Sequence, residues 1–486
     1  MKVSRSLSDY RLGFLHDNRQ RKVTGDEVMA QRFIDVDRAT PYLLPPSVDE
    51  WVEAKHLARF VVDVVDQLDL SALTNRYAGR GKKAYHPALL VAVLFYGYAT
   101  GVYSSRALER ASYDSVAFRF ICANQHPDHD TLAEFRKSFL KELSGLFVQI
   151  LGVAQQMGML KIGKVALDGT KIKANASAHK ALSWKHALKL EAQLKAEVAE
   201  LLKKAEAADA SDLPDGLDIP AELARREDRL KGIAAAKAEI ERRAKEREAA
   251  ERTEYEATLA ARKARTERSG RKPGGREPQP PPSGPADKDQ VNLTDSESRI
   301  LPAPGGGFVQ GYNAQASVDI DSRLIVARHV TQAANDKREL TPALEQLRAL
   351  PEALGQVTDV VADNGYLSSA NVIACAQPPE GQAPLTPSIA LSRESHHLPL
   401  LQRFAPPTPA PREDADAMTQ MAWRLKTPQG KALYGLRKQV VEPVFGIIKQ
   451  ALGFRQFLLR GKHKVDGEWD LVCMAYNLKR MHVMCA

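Results

Sequence analysis

The first third of the chain alternates apolar and polar residues with a helical period. In HLARFVVDVVDQLDL, Leu57, Phe60, Val61, Val64 and Val65 recur every three or four positions, which marks one helix face. Ala88 to Val102 is an apolar run of 15 residues, short of the ~20 needed to span a bilayer, and predicts a buried helix and no membrane insertion. Ser104-Ser105 opens SSRALERA, a second short helix follows at DSVAFRFICA, and Thr131-Leu-Ala-Glu134 is a capping box that predicts one long helix toward Val153. Residues 44–160 therefore read as an all-helical domain. It suits a helix-turn-helix DNA reader, or an interaction or packing domain, equally well. Residues 1–43 are polar and basic, lack the apolar core of a signal peptide and read as a partly disordered extension, with Met29 an alternative start.

The period changes at Lys161. In KVALDGTKIKANAS the apolar run Val165 to Leu167 stops at Asp168, which predicts a buried strand ending in a carboxylate. Residues 184–270 are rich in Ala, Glu, Lys and Arg. Leu190, Leu194, Val198 and Leu201 form one seam, and Leu223, Leu230, Ile233, Ile240 and Ala244 another, around the turn AADASDLPDGLDIP. Two antiparallel helices in a coiled-coil hairpin are expected. Residues 271–288 form a Pro/Gly-rich linker. Beyond it, GGGFVQGYNAQASVDI and RLIVARHVTQ predict a β-hairpin turning at Asp321-Ser322. NDKRELTPALEQLRAL predicts a helix, VTDVVADNGY a strand running into Asp363, SSANVIACA a helix and APLTPSIALS a strand. A basic amphipathic helix from Gly430 to Gln450 carries Glu442, and Gly467 to Met481 forms a last helix. With the insertion set aside, the order strand, hairpin, helix, strand, helix, strand, helix is that of a ribonuclease H-like α/β domain. It would have a mixed five-stranded sheet over residues 161–183 and 289–486.

Composition narrows the chemistry. The chain has 486 residues and a net charge of +9, and residues 431–486 alone carry 10 Lys+Arg against 4 Asp+Glu. That balance suits a polyanionic partner. Four cysteines with no CxxC pair argue against a disulfide scaffold or a cysteine zinc site and fit a reducing cytoplasm. GGGF lacks the P-loop spacing, so ATP is not expected.

Three carboxylates stand out by position: Asp168, Asp363 and Glu442. Hydrolysing a phosphodiester needs an activated water and a stabilised leaving oxygen, which two Mg²⁺ (or Mn²⁺) ions about 3.5–4 Å apart supply. Carboxylates are the ligands such hard ions take. Each has a bland alternative. Asp168-Gly169 is a common turn pair and Glu442 could be a solvated helix carboxylate. Among rival second carboxylates, Asp319 is uncommitted, Asp321 fits the hairpin turn, and Asp336 reads as a helix N-cap. HPDHD, His126 to Asp130, invites a metal reading, but the structural one is favoured, with Asp130 or Thr131 capping the following helix.

The passages TPYLLPPSVDEW, GYATGVYSSRALERA, NQHPDHDTLAEFR, VALDGTKIKANAS, GYNAQASVD, VVADNGYLS, YGLRKQVVEPVFGIIK and GEWDLVCMAYNLKR cover most of the chain from Phe33 onward. Together they resemble bacterial insertion-sequence transposases of the DDE class, in the branch with a Tyr-Arg-Glu-Lys signature. The resemblance implies Asp168, Asp363 and Glu442 as the catalytic, metal-binding triad. Tyr434, Arg437 and Lys449 would be the signature residues that contact DNA. The family leaves three residues between Arg and Glu, whereas four separate Arg437 from Glu442, so Lys438 competes for that role. Pro443 follows Glu442 directly and predicts a kink or a helix start there. The implied activity is cleavage at the element's terminal inverted repeats and transfer to target DNA, by a cytoplasmic, nucleoid-associated homo-oligomer. A nuclease of the same fold that does not join, and a catalytically dead DNA-binding protein, are the alternatives.

Overall fold

The computed structural model describes residues 35–38, 40, 47–77, 83–208, 219–271, 274–303, 306–391, 409–412 and 414–485. Most of the N-terminal extension with Met29, the turn expected between the long helices, and most of the loop FAPPTPAPRED lie outside these residues. The chain divides into two compact units, Met1–Ile172 with Tyr312–Ala486, and Lys173–Gly311.

In the first unit the N-terminal half is helical: α1 (Leu57–Val65), α2 (Ser71–Thr74), α3 (Pro87–Thr100), α4 (Ser105–Asp114), α5 (Val116–Ile121), α6 (His129–Ser138) and α7 (Leu140–Gln156). The apolar run becomes α3, capped by the His86 ring on Ala88 N–H at 3.2 Å and stopped at Gly101, whose φ is +84°. Nearly all its side chains are buried, and no single described helix is long and apolar enough to cross a membrane. The long helix expected from Thr131 is instead two helices that break at Phe139. Its cap is Asp128, which accepts from Thr131 N–H at 2.7 Å and Thr131 Oγ1 at 2.9 Å. Glu134 bonds Ser138 Oγ rather than closing a capping box. The HPDHD side chains are taken up locally. His129 Nδ1 lies 2.7 Å from Glu109, and His126 stacks on Tyr113.

Eight strands follow the helices among the described residues: β1 (Ile162–Lys173), β2 (Ala181–Ser183), β3 (Gln290–Asn292), β4 (Arg299–Pro302), β5 (Phe308–Asp319), β6 (Ile325–Thr331), β7 (Gly355–Ala362) and β8 (Thr386–Ile389). In the first unit they lie in the order β6-β5-β1-β7-β8. β5 and β6 are antiparallel, while β1 pairs parallel with β7 and β7 with β8. The β5–β6 turn is held by Asp319, whose carboxylate accepts from Ser322 N–H at 2.9 Å and Oγ at 2.7 Å, so that rival carboxylate is a turn residue. A mixed sheet with helices is as expected, but it has six strands rather than five, because β4 also pairs with the start of β5.

This unit also holds, among the described residues, α10 (Leu340–Arg348), α11 (Ser369–Ala376), α12 (Ala417–Arg424) and α13 (Pro428–Gly446), the last running into a π-helical turn at Ile447–Ala451. The numbers α8 and α9 belong to the second unit. Pro443 lies inside α13, which neither starts nor ends there; the irregularity falls at the π turn instead. The final helix, α14 (Lys462–Cys485), packs against α3, α7 and β6. The N-terminal helices therefore share a core with it rather than forming a compact unit of their own. α14 places Trp469, Leu471, Val472, Met474 and Leu478 in that core, each fully buried, at about 1.5–3 kcal/mol of hydrophobic stabilisation per large side chain. It also buries polar groups that find partners. Asn477 bonds both the N–H and C=O of Ile325 at 2.8 Å, and Trp469 Nε1 donates to Gln315 C=O at 2.9 Å.

The second unit holds α8 (Trp184–Ala208) and α9 (Ile219–Ser269). Leu194 packs with Ile233, Ala236 and Ile240, and Leu190 and Leu230 flank them. Lys237 reaches Glu191 at 2.7 Å and Arg226 reaches Glu197 at 2.9 Å, so the two helices run in opposite directions. The unit extends beyond the expected hairpin at both ends, because β2 pairs with β3 and β4 pairs with Phe308–Gly311 at the start of β5. The sequence reading had none of these three short strands, which carry too few residues to show a period.

Candidate active site

β1 does not end at Asp168 but continues five residues to Lys173. Asp-Gly reads as a turn in isolation. Here Gly169 stays in the strand because its bare Cα lets β1 run against side chains of β5. A Cβ on Gly169 would collide with Gln315 Nε2 and lie 2.6 Å from Asp336 Oδ1 and 2.9 Å from Asn313 Oδ1. Asp363 follows β7 directly and caps a 3-10 turn, Asn364–Tyr366, by accepting from Gly365 N–H at 2.8 Å. The β1–β7 register pairs Val165 with Val360 and Ala166 with Val361. Asp168 on β1 and Asp363, the residue after β7, each stand two residues beyond that last pair, at matching positions of two neighbouring parallel segments.

Asp168 is mostly buried. Its Oδ1 accepts from Gly169 N–H at 2.8 Å, and its Oδ2 meets Arg437 Nη1 at 2.9 Å. Burial pushes its carboxyl up to about 6. The guanidinium opposes this shift and is outweighed, while the negative charges of Asp363 and Asp336 add to it. Arg437 is itself buried on α13 and held as a cation by Asp168, with Tyr434 beside it. Lys438 is exposed. Of these two cations, Arg437 is the one that meets Asp168. Lys449, in the π turn, is half-buried and donates to Lys171 C=O at 3.0 Å; burial lowers its pKa. Arg437 and Lys449 therefore both fasten this helical segment to β1. Glu442 lies on the exposed side of α13, with no hydrogen-bond or ion-pair partner among the described residues, and the structure does not bring it to the two aspartates.

Asp336 corrects the sequence reading. The residue at the N-cap of α10 is Glu339, whose carboxylate is bonded to His329 and Thr331 on β6. The Asp336 side chain points instead to β5, where Oδ1 accepts from Asn313 Nδ2 and Gln315 Nε2, each at 2.7 Å, with Lys171 Nζ at 3.7 Å. Gln315 Oε1 in turn accepts from the buried Tyr366 hydroxyl, which ties the Asp363 turn to the same strand. These amides were missed. The available signal was their alternation in GYNAQASVD, which puts Asn313, Gln315 and Ser317 on one face of a strand.

The donor set is all hard oxygen, which suits a divalent cation such as Mg²⁺. Asp363 Oδ2 and Asp336 Oδ2 accept no hydrogen bond from described residues, and Asn313 Oδ1 is buried without a partner. Among the described residues no three His, Cys, Asp or Glu side chains are already grouped to hold an ion. Arg437 supplies the positive charge beside Asp168.

Two family models match the chain. Residues 46–138 match "Transposase domain (DUF772)", which spans α1 to α6, and residues 410–482 match "Transposase DDE domain", from α12 into α14. Together they support a DDE-type transposase. Tyr434, Arg437, Lys438, Glu442 and Lys449 lie inside the DDE match, whereas Asp168 and Asp363 lie between the two matches. No curated protein and no solved structure matches the chain.

Proposed function

We propose that this transposase cuts double-stranded DNA at the terminal inverted repeats of its bacterial element and joins the freed end to target DNA, through a ribonuclease H-like unit using Mg²⁺ or Mn²⁺. The adjacency of Asp168 and Asp363 on parallel strands carries the proposal. The strand order supports the fold: numbered along the first unit alone, the strands run third-second-first-fourth-fifth. Asp168 and Asp363 would hold the cations, and Glu442 would complete the set only by turning in from the exposed side of α13, which packs against β7. Bound divalent ions would activate a water and stabilise the leaving oxygen. Asp168 must be ionised to take part, and its raised pKa makes that state dependent on nearby positive charge. Arg437 neutralises it before a cation arrives. Tyr434, Arg437, Lys438 and Lys449 form a basic surround that would contact backbone phosphates. A homo-oligomer would bring two element ends together.

Cleavage and joining of DNA carrying the flanking repeats, with Mg²⁺, tests this with wild type beside Asp363→Ala. Loss of cleavage by at least a thousandfold with DNA binding kept is expected, and a joined product from wild type. Cleavage without joining would leave a nuclease. Binding without cleavage by wild type, even in Mn²⁺, would leave a DNA-binding relic.

A further inference from the structure

We propose that Asp336 is a further ligand of the divalent-cation site, presenting Oδ2 toward Asp363, with Asn313 Oδ1 as a neutral oxygen nearby. The inference rests on the cation site proposed above and adds a residue to it.

Three observations carry it. The first is placement. A methyl built on Gly365 would lie 2.9 Å from Asp363 Oδ1 and 3.6 Å from Asp336 Oδ2, so both carboxylates border the same small space. Asp336 Oδ1 borders the space over Gly169, which points to the face of β1 opposite the Asp168 side chain. The second is the division of labour within the carboxylate. Both amide donors and Lys171 meet Oδ1, which leaves Oδ2 free. Anchoring β5 requires one oxygen only. The third is Asn313. It is fully buried, its Nδ2 is committed to Asp336 and to Ala333 C=O at 3.3 Å, and its Oδ1 faces Gly169 with no donor. A buried acceptor without a partner is costly unless something outside the chain fills it. A hard cation with its hydration shell meets both needs. It offsets the third carboxylate packed near two others, and it supplies what Asn313 lacks.

Asp336→Asn separates this role from a structural one. The amide can keep its oxygen toward Asn313 and Gln315 and put nitrogen, a poor ligand for Mg²⁺ or Mn²⁺, where Oδ2 stood. Mn²⁺ titrated into the full chain without DNA, followed by loss of the free-ion electron paramagnetic resonance signal, gives the readout. Wild type should bind. Asp336→Asn should weaken binding at least tenfold with its melting temperature unchanged, and Asp168→Asn and Asp363→Asn should weaken it as much or more. Unchanged affinity in Asp336→Asn beside loss in the other two would overturn the role of Asp336 and leave the cation site standing. No binding by wild type, or affinity indifferent to all three, would remove the site itself. A measurement on wild type covers a variant that fails to fold: Fe²⁺ with peroxide and ascorbate should cut the backbone near residues 168, 336 and 363. Cuts at 168 and 363 without one near 336 would overturn the proposal.

Discussion

Two regions of the first unit bury an arginine against a carboxylate, and they differ in what surrounds the pair. In the helical core, Arg328 Nε lies 2.8 Å from Asp470 Oδ1, and its guanidinium covers the Phe147 ring. Two residues earlier on α14, Glu468 is fully used: Oε1 accepts from Tyr98 hydroxyl at 3.1 Å and Oε2 from the N–H groups of Leu458 and Leu459 at 2.9 and 3.0 Å. At the sheet, Arg437 holds Asp168, but the neighbouring Asp363 and Asp336 each keep an oxygen free, and Asn313 Oδ1 has no partner. Burial pushes Asp168 and Asp470 alike to about 6. A shifted pKa therefore does not tell a working site from a structural one. Nor does an unfilled acceptor alone, since Asp319 Oδ1 in the β5–β6 turn is also buried without a partner. The surplus of carboxylate around Asp168 does.

The two arginines should respond differently to removal. Arg328→Ala leaves Asp470 buried without its cation and uncovers Phe147, and should cost about 3–5 kcal/mol in urea unfolding. Arg437→Ala leaves Asp168 at a place where another cation can come. It should cost less than half as much and should tighten Mn²⁺ binding several-fold. Equal destabilisation, or weaker Mn²⁺ binding in Arg437→Ala, would break the distinction.

The sequence showed the pieces of this contrast unequally. Asp168 and Asp363 were legible because each follows an apolar run, a local pattern. The helix seams were legible for the same reason, and Leu194, Leu201, Ile233, Ile240 and Ala244 are buried as the seams require. Asp336 was misread, because an Asn-Asp pair before a helix looks like a cap and its real partners are more than 20 residues upstream on β5. Glu468 and Asp470 look like surface residues of an amphipathic helix. Their partners Tyr98 and Arg328 are 370 and 142 positions away in the chain, beyond any periodicity. Long-range polar pairing is what a single sequence hides.

The pH dependence sharpens the comparison at a smaller scale. A carboxyl raised from about 4 to about 6 in the folded state keeps a proton that the unfolded chain has already released. Stability from each group is thus fully present below pH 4 and is lost as pH rises through 6, by at most about 3 kcal/mol. Without metal, Asp168 and Asp470 both contribute to that decline. A cation competes with the proton at Asp168 only. Mn²⁺ at a hundred times its dissociation constant should therefore add about 2–3 kcal/mol at pH 7.5 and much less at pH 4.5. The pH-dependent loss from Asp470 should persist. Equal stabilisation at both pH values would mean that the ion binds elsewhere.

The smallest expected effect compares two glycines of one strand. Nothing lies within 4 Å of a Cβ built on Gly163, whereas one on Gly169 meets Gln315, Asp336 and Asn313. Gly163→Ala should leave stability within about 0.5 kcal/mol of wild type. Gly169→Ala must push aside two buried amides that are already hydrogen-bonded, an overpacking cost of about 1–3 kcal/mol. The displaced amides hold Asp336 through Oδ1, so Mn²⁺ affinity should fall with stability in Gly169→Ala and stay unchanged in Gly163→Ala. If Gly169→Ala destabilised the chain yet bound Mn²⁺ as wild type does, the amide pair would be packing alone. The free oxygen of Asp336 would then need another explanation.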